Sequence, residues 1–450
     1  MPATEHFCPQ QNDATPSPEL IARLHEARRR SDETFRLVRA DCLYERPIAE
    51  RHRIVFYVGH LEAFDWNLLH ENVLGARSFH PEFDRLFAFG IDPVGGGLPS
   101  DVASDWPALS SVQGYVDKSR AGIDEGLADG ALALQVAGRG GFSLETLLNV
   151  AIEHRLMHVE TLAYMLHQLP LEKKERQRGF LNLDTGAVVH QSIAVPEGVA
   201  ALGLPRSSGT FGWDNEYEAC EVEVPAFAID RYEVTNRQFL EFIEAGGYRN
   251  RALWSSEDWE WRSAKAISHP AFWKRAGDAW MYRTMFAEVE LPLDWPVYVS
   301  HAEASAYARW AGKSLPTEAE WHRAAYGSED GNERKYPWGD AAPSARLGNF
   351  DFCRWEPTPV HAFPEGQSAY GVCDMLGNGW EWTSSVFAPF GGFEPFSFYR
   401  GYSADFFDGK HFVLKGGSAR SAACMLRRTF RNWFQAHYQY VYAGFRCVSH

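Results

Sequence analysis

Three histidines carry the chemistry that this chain could perform. His154 and His158 stand four residues apart in EHRLMH, inside a strongly periodic apolar stretch. On a helix that spacing puts both imidazoles on one face, close enough to share one cation. His60 lies in FYVGHLEAFDW, a second apolar helical stretch, and a third imidazole from there could complete the set. Each ring must be neutral to bind metal, with its other nitrogen held by a polar neighbour, and Glu62, Glu153 and Asp65 are near in sequence. Three histidines on one face of an octahedral ion leave three positions open. Zinc in such a set points to hydrolysis and iron to oxygen chemistry, and the residues alone leave both open.

The elements that must position these rings are helices. PELIARLHEARRRSDETFRLV, HRIVFYVGHLEAFDWNLLHENVL and FSLETLLNVAIEHRLMHVETLAYMLHQL all have helical periodicity, and a fourth helix is expected around Val112–Asp124. Four helices of this length predict an antiparallel four-helix bundle over residues 17–171. Between the second helix and the one around Val112–Asp124, FGIDPVGGGLPSDVASDWP reads as a long loop, of a length that is usually functional or disordered. The charged run LEKKERQRG opens a linker placed at 172–195. From 196 to 450 the texture changes to short β-like stretches, Gly/Pro turns and Trp-rich loops, with two helices, NRQFLEFIEAG and HAEASAYARWAGKSLPTEAEWHRAAYG. The expected whole is a two-domain α+β protein.

At 450 residues the chain is long enough for two or three cores, and 23% charged residues suit a soluble protein. A net charge of −15 with no basic run argues against nucleic acid and against an anionic membrane surface as partners. The opening stretch lacks the pattern of a signal peptide, and no apolar window is long enough to span a bilayer. Seven scattered cysteines without a CxxC pair fit a reduced, cytoplasmic setting. The 14% aromatic content suits an aromatic-packed domain and a pocket for a cationic ligand.

Several strings in the second half resemble the formylglycine-generating-enzyme-like fold, a C-type-lectin-like variant also found in sulfatase-modifying factors. They are YEVTNRQFLEFI, PVYVSHAEASAYARWAGKSLPTEAEWHRAA, YPWGD, YGVCDMLGNGWEWT, VLKGGS and AGFR, in the expected order. The first half resembles a DinB-like bundle, and the fusion is similar to the sulfoxide synthases of ergothioneine and ovothiol biosynthesis. That resemblance implies a non-heme Fe(II), O₂-dependent oxidoreductase whose iron ligands map onto His60, His154 and His158. It implies hercynine as the acceptor, held by Asn432 and Trp433 of RRTFRNWF. An indole face attracts a quaternary ammonium and an amide can bind a carboxylate. Formylglycine generation is disfavoured, because only Cys424 stands where those enzymes keep a metal-binding cysteine pair.

The same resemblance locates departures. Related ergothioneine enzymes hold γ-glutamylcysteine with loop arginines and an acidic residue after the Asn-Trp pair. Here the loop reads PVGGGLPSD, the residue after Trp433 is Phe434, and Met157 replaces a glutamine. The Gly-rich loop and FYVGHLEAFDWNL are most similar to the selenoneine synthase branch, implying a selenosugar donor, with a thiol donor as the alternative. A proton- or electron-delivering tyrosine is expected in GGFEPFSFYRGYSADFF, as Tyr399 or Tyr402. Asn378 and Glu381 match a structural Ca²⁺ site of the fold, and hydrogen bonding alone is the competing expectation. Rival functions are a zinc-dependent thiol transferase and a non-catalytic lectin-like binding module.

Overall fold

The computed structural model describes residues 17–70, 77–88, 98–128, 142–175 and 188–450. Residues 176–187, half of the expected linker, and residues 89–97 of the Gly-rich loop lie outside them. The chain forms two compact units, one of residues 1–32 and 43–155, the other of 33–42 and 156–450. Their boundary at Arg155 and Leu156 falls inside a single continuous helix.

The first unit is helical. It contains α1 (Pro18–Phe35, to residue 32), α2 (Ile54–Leu69), the short α3 (Pro81–Leu86), α4 (Leu109–Ala128) and the first half of α5 (Leu144–His167). Along α2 only Val58, Phe64 and Asn67 escape full burial, the mark of a helix surrounded by its neighbours. Its polar residues therefore need internal partners. Arg155 supplies them, donating to both Glu62 oxygens at 2.8 and 2.9 Å, to Asp65, and to the Leu61 carbonyl. Arg120 on α4 joins Glu62 to Asp32 on α1, so one ionic network crosslinks four helices.

The second unit is α+β. The strands are β1 (Ser192–Val195), β2 (Gly198–Leu202), β3 (Cys220–Val224), β4 (Phe227–Asp230), β5 (Trp273–Ala276), β6 (Ala279–Arg283), β7 (Glu288–Glu290), β8 (Trp380–Val386), β9 (His411–Gly416), β10 (Asn432–Gln435), β11 (Ala443–Gly444) and β12 (Val448–Ser449). They form small sheets ordered β1-β4-β12, β10-β9-β8-β11, β2-β3 and β5-β6-β7. Trp213, Trp321, Trp380 and Trp382 are among the largest fully enclosed side chains, so aromatic packing does much of what regular sheet cannot.

Among the described residues after 187, α-helices number four rather than the expected two: α6 (Asn236–Glu244), α7 (Ser256–Ala264), α8 (His301–Trp310) and α9 (Glu318–Tyr326). The stretch 301–327 splits because Gly312 turns into the left-handed region, Pro316 has no amide hydrogen to continue a helix, and Thr317 restarts one. Thr317 and Glu320 form a capping box, as do Ser300 with Glu303 and Thr235 with Gln238. The additional helix α7 starts at Ser255, whose hydroxyl caps Asp258.

Candidate functional site

Histidine at position 60 follows a glycine for a steric reason. A Cβ on Gly59 would lie 2.5 Å from the ring of Phe87, which is fully buried and has no room to retreat. The close approach brings the Phe87 carbonyl to 2.6 Å from His60 Nδ1. A carbonyl only accepts, so Nδ1 carries the proton and Nε2 keeps its lone pair for a metal. Phe56 stacks on the same ring at 4.9 Å. Burial pushes the His60 pKa down to about 4, so the ring is neutral at physiological pH.

His154 stacks face to face on Phe64 at 3.5 Å, and its ring centroid lies 5.2 Å from that of His60. His158 follows one turn later on α5. Ligand nitrogens of all three rings lie within 4.8 Å of one another, the one such group among the described residues. The rings are 2–3% exposed. A neutral His60 with an assigned tautomer, and three rings shielded from water, fit a first-row transition metal. The expected supporters are different, however. Glu62 and Asp65 turn to Arg155 rather than to the histidines, because they project from other faces of α2 than His60 does. A backbone carbonyl takes their place at His60.

Beyond His158 the helix is anchored by Glu160, a buried carboxylate that the sequence reading passed over. It accepts hydrogen bonds from Trp380 Nε1 at 2.7 Å, Ser421 Oγ at 2.8 Å and Ser418 Oγ. Burial raises its pKa against the pull of these donors. An acid on the buried face of an apolar helix was the available signal.

Met157 brings one expected tyrosine with it, for the Tyr402 hydroxyl lies 3.4 Å from Met157 Sδ. Tyr402 is buried and packs edge-on against Trp433 at 5.3 Å. Trp433 stacks flat on Phe387 at 4.2 Å with Phe406 at 5.6 Å. Met157, Tyr402 and Trp433 thus form one group. Tyr399 sits behind, 5.5 Å from Tyr402, its phenol pushed above its ordinary range by burial and by the Asp214 carboxylate. Phe434 belongs to a separate group, stacked on Tyr438 at 5.1 Å with Tyr164 edge-on at 6.4 Å. Adjacent residues on β10 diverge in this way because strand side chains alternate. Asn432 pairs with Leu414 of β9, and its Oδ1 accepts from the Trp433 amide at 2.9 Å.

Asn378 and Glu381, expected either at a structural Ca²⁺ or in hydrogen bonds alone, are both hydrogen-bonded. Asn378 Oδ1 already accepts from the Thr358 amide, Thr358 Oγ1 and Asn349 Nδ2, while both Glu381 oxygens pair with Arg446. The loop is tied by these protein hydrogen bonds. Among the described residues no helix is long and apolar enough to cross a membrane.

The sulfatase-modifying factor enzyme 1-like domain family matches residues 182–450. Hercynine oxygenase of Mycolicibacterium thermoresistibile is 42% identical over 307 residues, covering 66% of this chain and 67% of that protein. Hercynine oxygenase of Mycolicibacterium smegmatis is 40% identical over 312 residues, 66% of this chain and 70% of that one. Ergothioneine biosynthesis protein 1 of Neurospora crassa is 27% identical over 493 residues, and the match takes in 90% of this chain but 55% of the fungal protein.

Proposed function

We propose that this chain, which belongs to the ergothioneine sulfoxide-synthase-like family and carries a sulfatase-modifying factor enzyme 1-like domain, is an O₂-dependent non-heme iron(II) enzyme that joins a chalcogen donor to the imidazole of hercynine. The observation that carries the reading is the buried set of His60, His154 and His158. Iron(II) held there would supply O₂ activation beside the acceptor ring. With a thiol or selenol donor, one ring C–H and one chalcogen–H are lost, O₂ accepts four electrons, one oxygen stays on the chalcogen and the other leaves as water.

The chain's own residues have separate tasks in this reading. The three imidazoles stay neutral and leave room on the metal for small ligands. Trp433, braced by Phe387, offers an indole face to the trimethylammonium group, and Asn432 an amide to the carboxylate. Tyr402, beside Met157, is the phenol for proton or electron delivery, with Tyr399 as the reserve. The helical domain is read as a DinB-like bundle over 17–171, joined by 172–195 to the domain over 196–450, in a cytoplasmic protein.

For the donor we favour a selenosugar, which makes the chain a selenoneine synthase. Phe434 stacks with Tyr438, and that aromatic wall offers no charge to the carboxylates of a glutamyl dipeptide. A thiol donor is the second reading, supported by the names of the relatives, since ergothioneine is itself a sulfur compound. Aerobic incubation with Fe(II), hercynine and equal concentrations of seleno-sugar, thio-sugar, cysteine and γ-glutamylcysteine, followed by mass spectrometry, tests both. Preferred coupling of the seleno-sugar is expected. Preference for γ-glutamylcysteine or cysteine would replace the donor assignment, and no coupling with any donor would overturn the reaction.

A further inference from the structure

A single turn, Trp213–Glu216, reaches the segments of both aromatic residues assigned to the reaction, Tyr402 and Trp433. Its Glu216 is buried and accepts the Trp213 amide at 2.9 Å, which closes the turn. The same carboxylate accepts Arg427 Nε at 2.8 Å and Thr429 Oγ1 at 2.5 Å, and the Asn215 carbonyl accepts Arg431 Nη1 at 3.3 Å. Arg427, Thr429 and Arg431 lie on the segment that runs directly into Asn432 and Trp433.

The other side of the turn holds the tyrosine segment. Asn215 Nδ2 donates to Ser403 Oγ at 3.0 Å, and that hydroxyl donates to Asp214 Oδ1. Ser403 is fully buried and adjoins Tyr402, whose ring stacks on Trp213 at 4.0 Å. Backbone bonds from Tyr402 to Tyr399 and from Phe406 to Ser403 make this a stiff turn, so a fixed Ser403 fixes the phenol. Burial pushes the Asp214 carboxyl up to about 6 against the pull of the Ser403 hydroxyl.

We propose that Trp213–Glu216 is a two-armed positioning element: Asp214 and Asn215 set the Tyr402 phenol through Ser403, and Glu216 sets the Trp433 strand through Arg427 and Thr429. The inference rests on the reading above, in which Tyr402 and Trp433 serve hercynine coupling. None of these four turn residues touches substrate in it.

Two single variants of the full chain separate the arms, with 3-fluorotyrosine installed at position 402 as a readout independent of turnover. Ser403→Ala is expected to lower kcat by about tenfold, as misplacement of a reacting group does, while hercynine affinity stays within about twofold of wild type. It should also shift the fluorine resonance. Thr429→Val is expected to weaken hercynine binding by about threefold, the loss of part of one hydrogen bond, with kcat and the fluorine resonance unmoved. Wild-type kcat together with an unmoved resonance in Ser403→Ala would overturn the proposal. So would loss of kcat and affinity together in both variants, which is what a merely structural turn would give. Tyr402→Phe serves as the control for the underlying reading. If it keeps full kcat, the phenol's role in that reading fails, and the fluorine shift still decides whether the clamp sets its position.

Discussion

Arg155 and Glu160 stand five residues apart on α5 and are held in opposite ways. In the helical unit, Arg155 faces two carboxylates, and Glu62 in turn faces a second guanidinium from Arg120. In the second unit, Glu160 is held by an indole and two hydroxyls, all neutral donors. The first arrangement is charge against charge, where removal of one member strands its partners in a place without water. The second is a single charge solvated by dipoles, which survives neutralisation because every donor can still find a lone pair. One helix that presents His154 and His158 beside these anchors therefore has a brittle end and a tolerant end.

The sharpest break of that comparison comes from neighbouring residues. His154→Ala should abolish iron retention and turnover while leaving the thermal midpoint nearly unchanged, and His158→Ala should do the same; metal analysis of the purified variants decides it. Full iron content in either would remove that residue from the metal set. Arg155→Ala, one residue along, should instead cost about 3–5 kcal/mol of stability through the stranded Glu62 and Asp65. Urea denaturation measures this, and a loss no larger than that of an exposed ion pair would show the network to be hydrated.

At the tolerant end, Glu160→Gln should cost no more than about 1 kcal/mol at neutral pH, since the amide keeps an acceptor for Trp380 and Ser418. The two anchors should also respond to acid with opposite sign. Burial raises the Glu62 pKa, but Arg155 and Arg120 outweigh it and hold the group at about 2, below its ordinary 4.5. Its contribution is complete above 4.5 and is lost as the pH falls towards 2. For Glu160 burial wins and the pKa is raised. Its contribution is complete below the ordinary value and is lost as the pH rises through the raised one. Wild type should therefore lose its advantage over Glu62→Gln on acidification and gain on Glu160→Gln, and parallel slopes in the two comparisons would contradict the assignment.

The smallest expected effect lies at the aromatic group. Trp433→Ala should weaken hercynine binding by ~0.5–2 kcal/mol, the range for a cation over an indole face, with iron content unchanged. Calorimetric titration with hercynine checks it, and unaltered affinity would place the ammonium elsewhere.

Much of this fold was legible because its signals are local. Helix starts at Thr235, Ser300 and Thr317 are written in four residues each, since a capping box needs only its own turn. Periodicity placed α1, α4 and α5 within a few residues of their ends and the start of α2 within two, the expected end of α2 lying outside the described residues. The break between α8 and α9 was also written, in Gly312 and Pro316, but the apolar pattern on both sides masked it. The hydrogen-bond partners of Asn378 and Glu381 were not legible, for the opposite reason. The partners that occupy those side chains, Thr358, Asn349 and Arg446, lie 20 to 65 residues away.

By itself the sequence determined the pairing of His154 with His158, because helical pitch alone puts residues four apart on one face. It also determined that Gly59 precedes the third ring, though not why. Tertiary structure decided that His60 joins the pair, which of its nitrogens is free, and that Tyr402 rather than Tyr399 lies against Met157. Each of those facts depends on a contact between distant segments: Phe87 with His60, 27 residues apart, and Met157 with Tyr402, 245 apart. Side-chain direction at that range is set by which rings fill the space between the elements, and no local pattern records it.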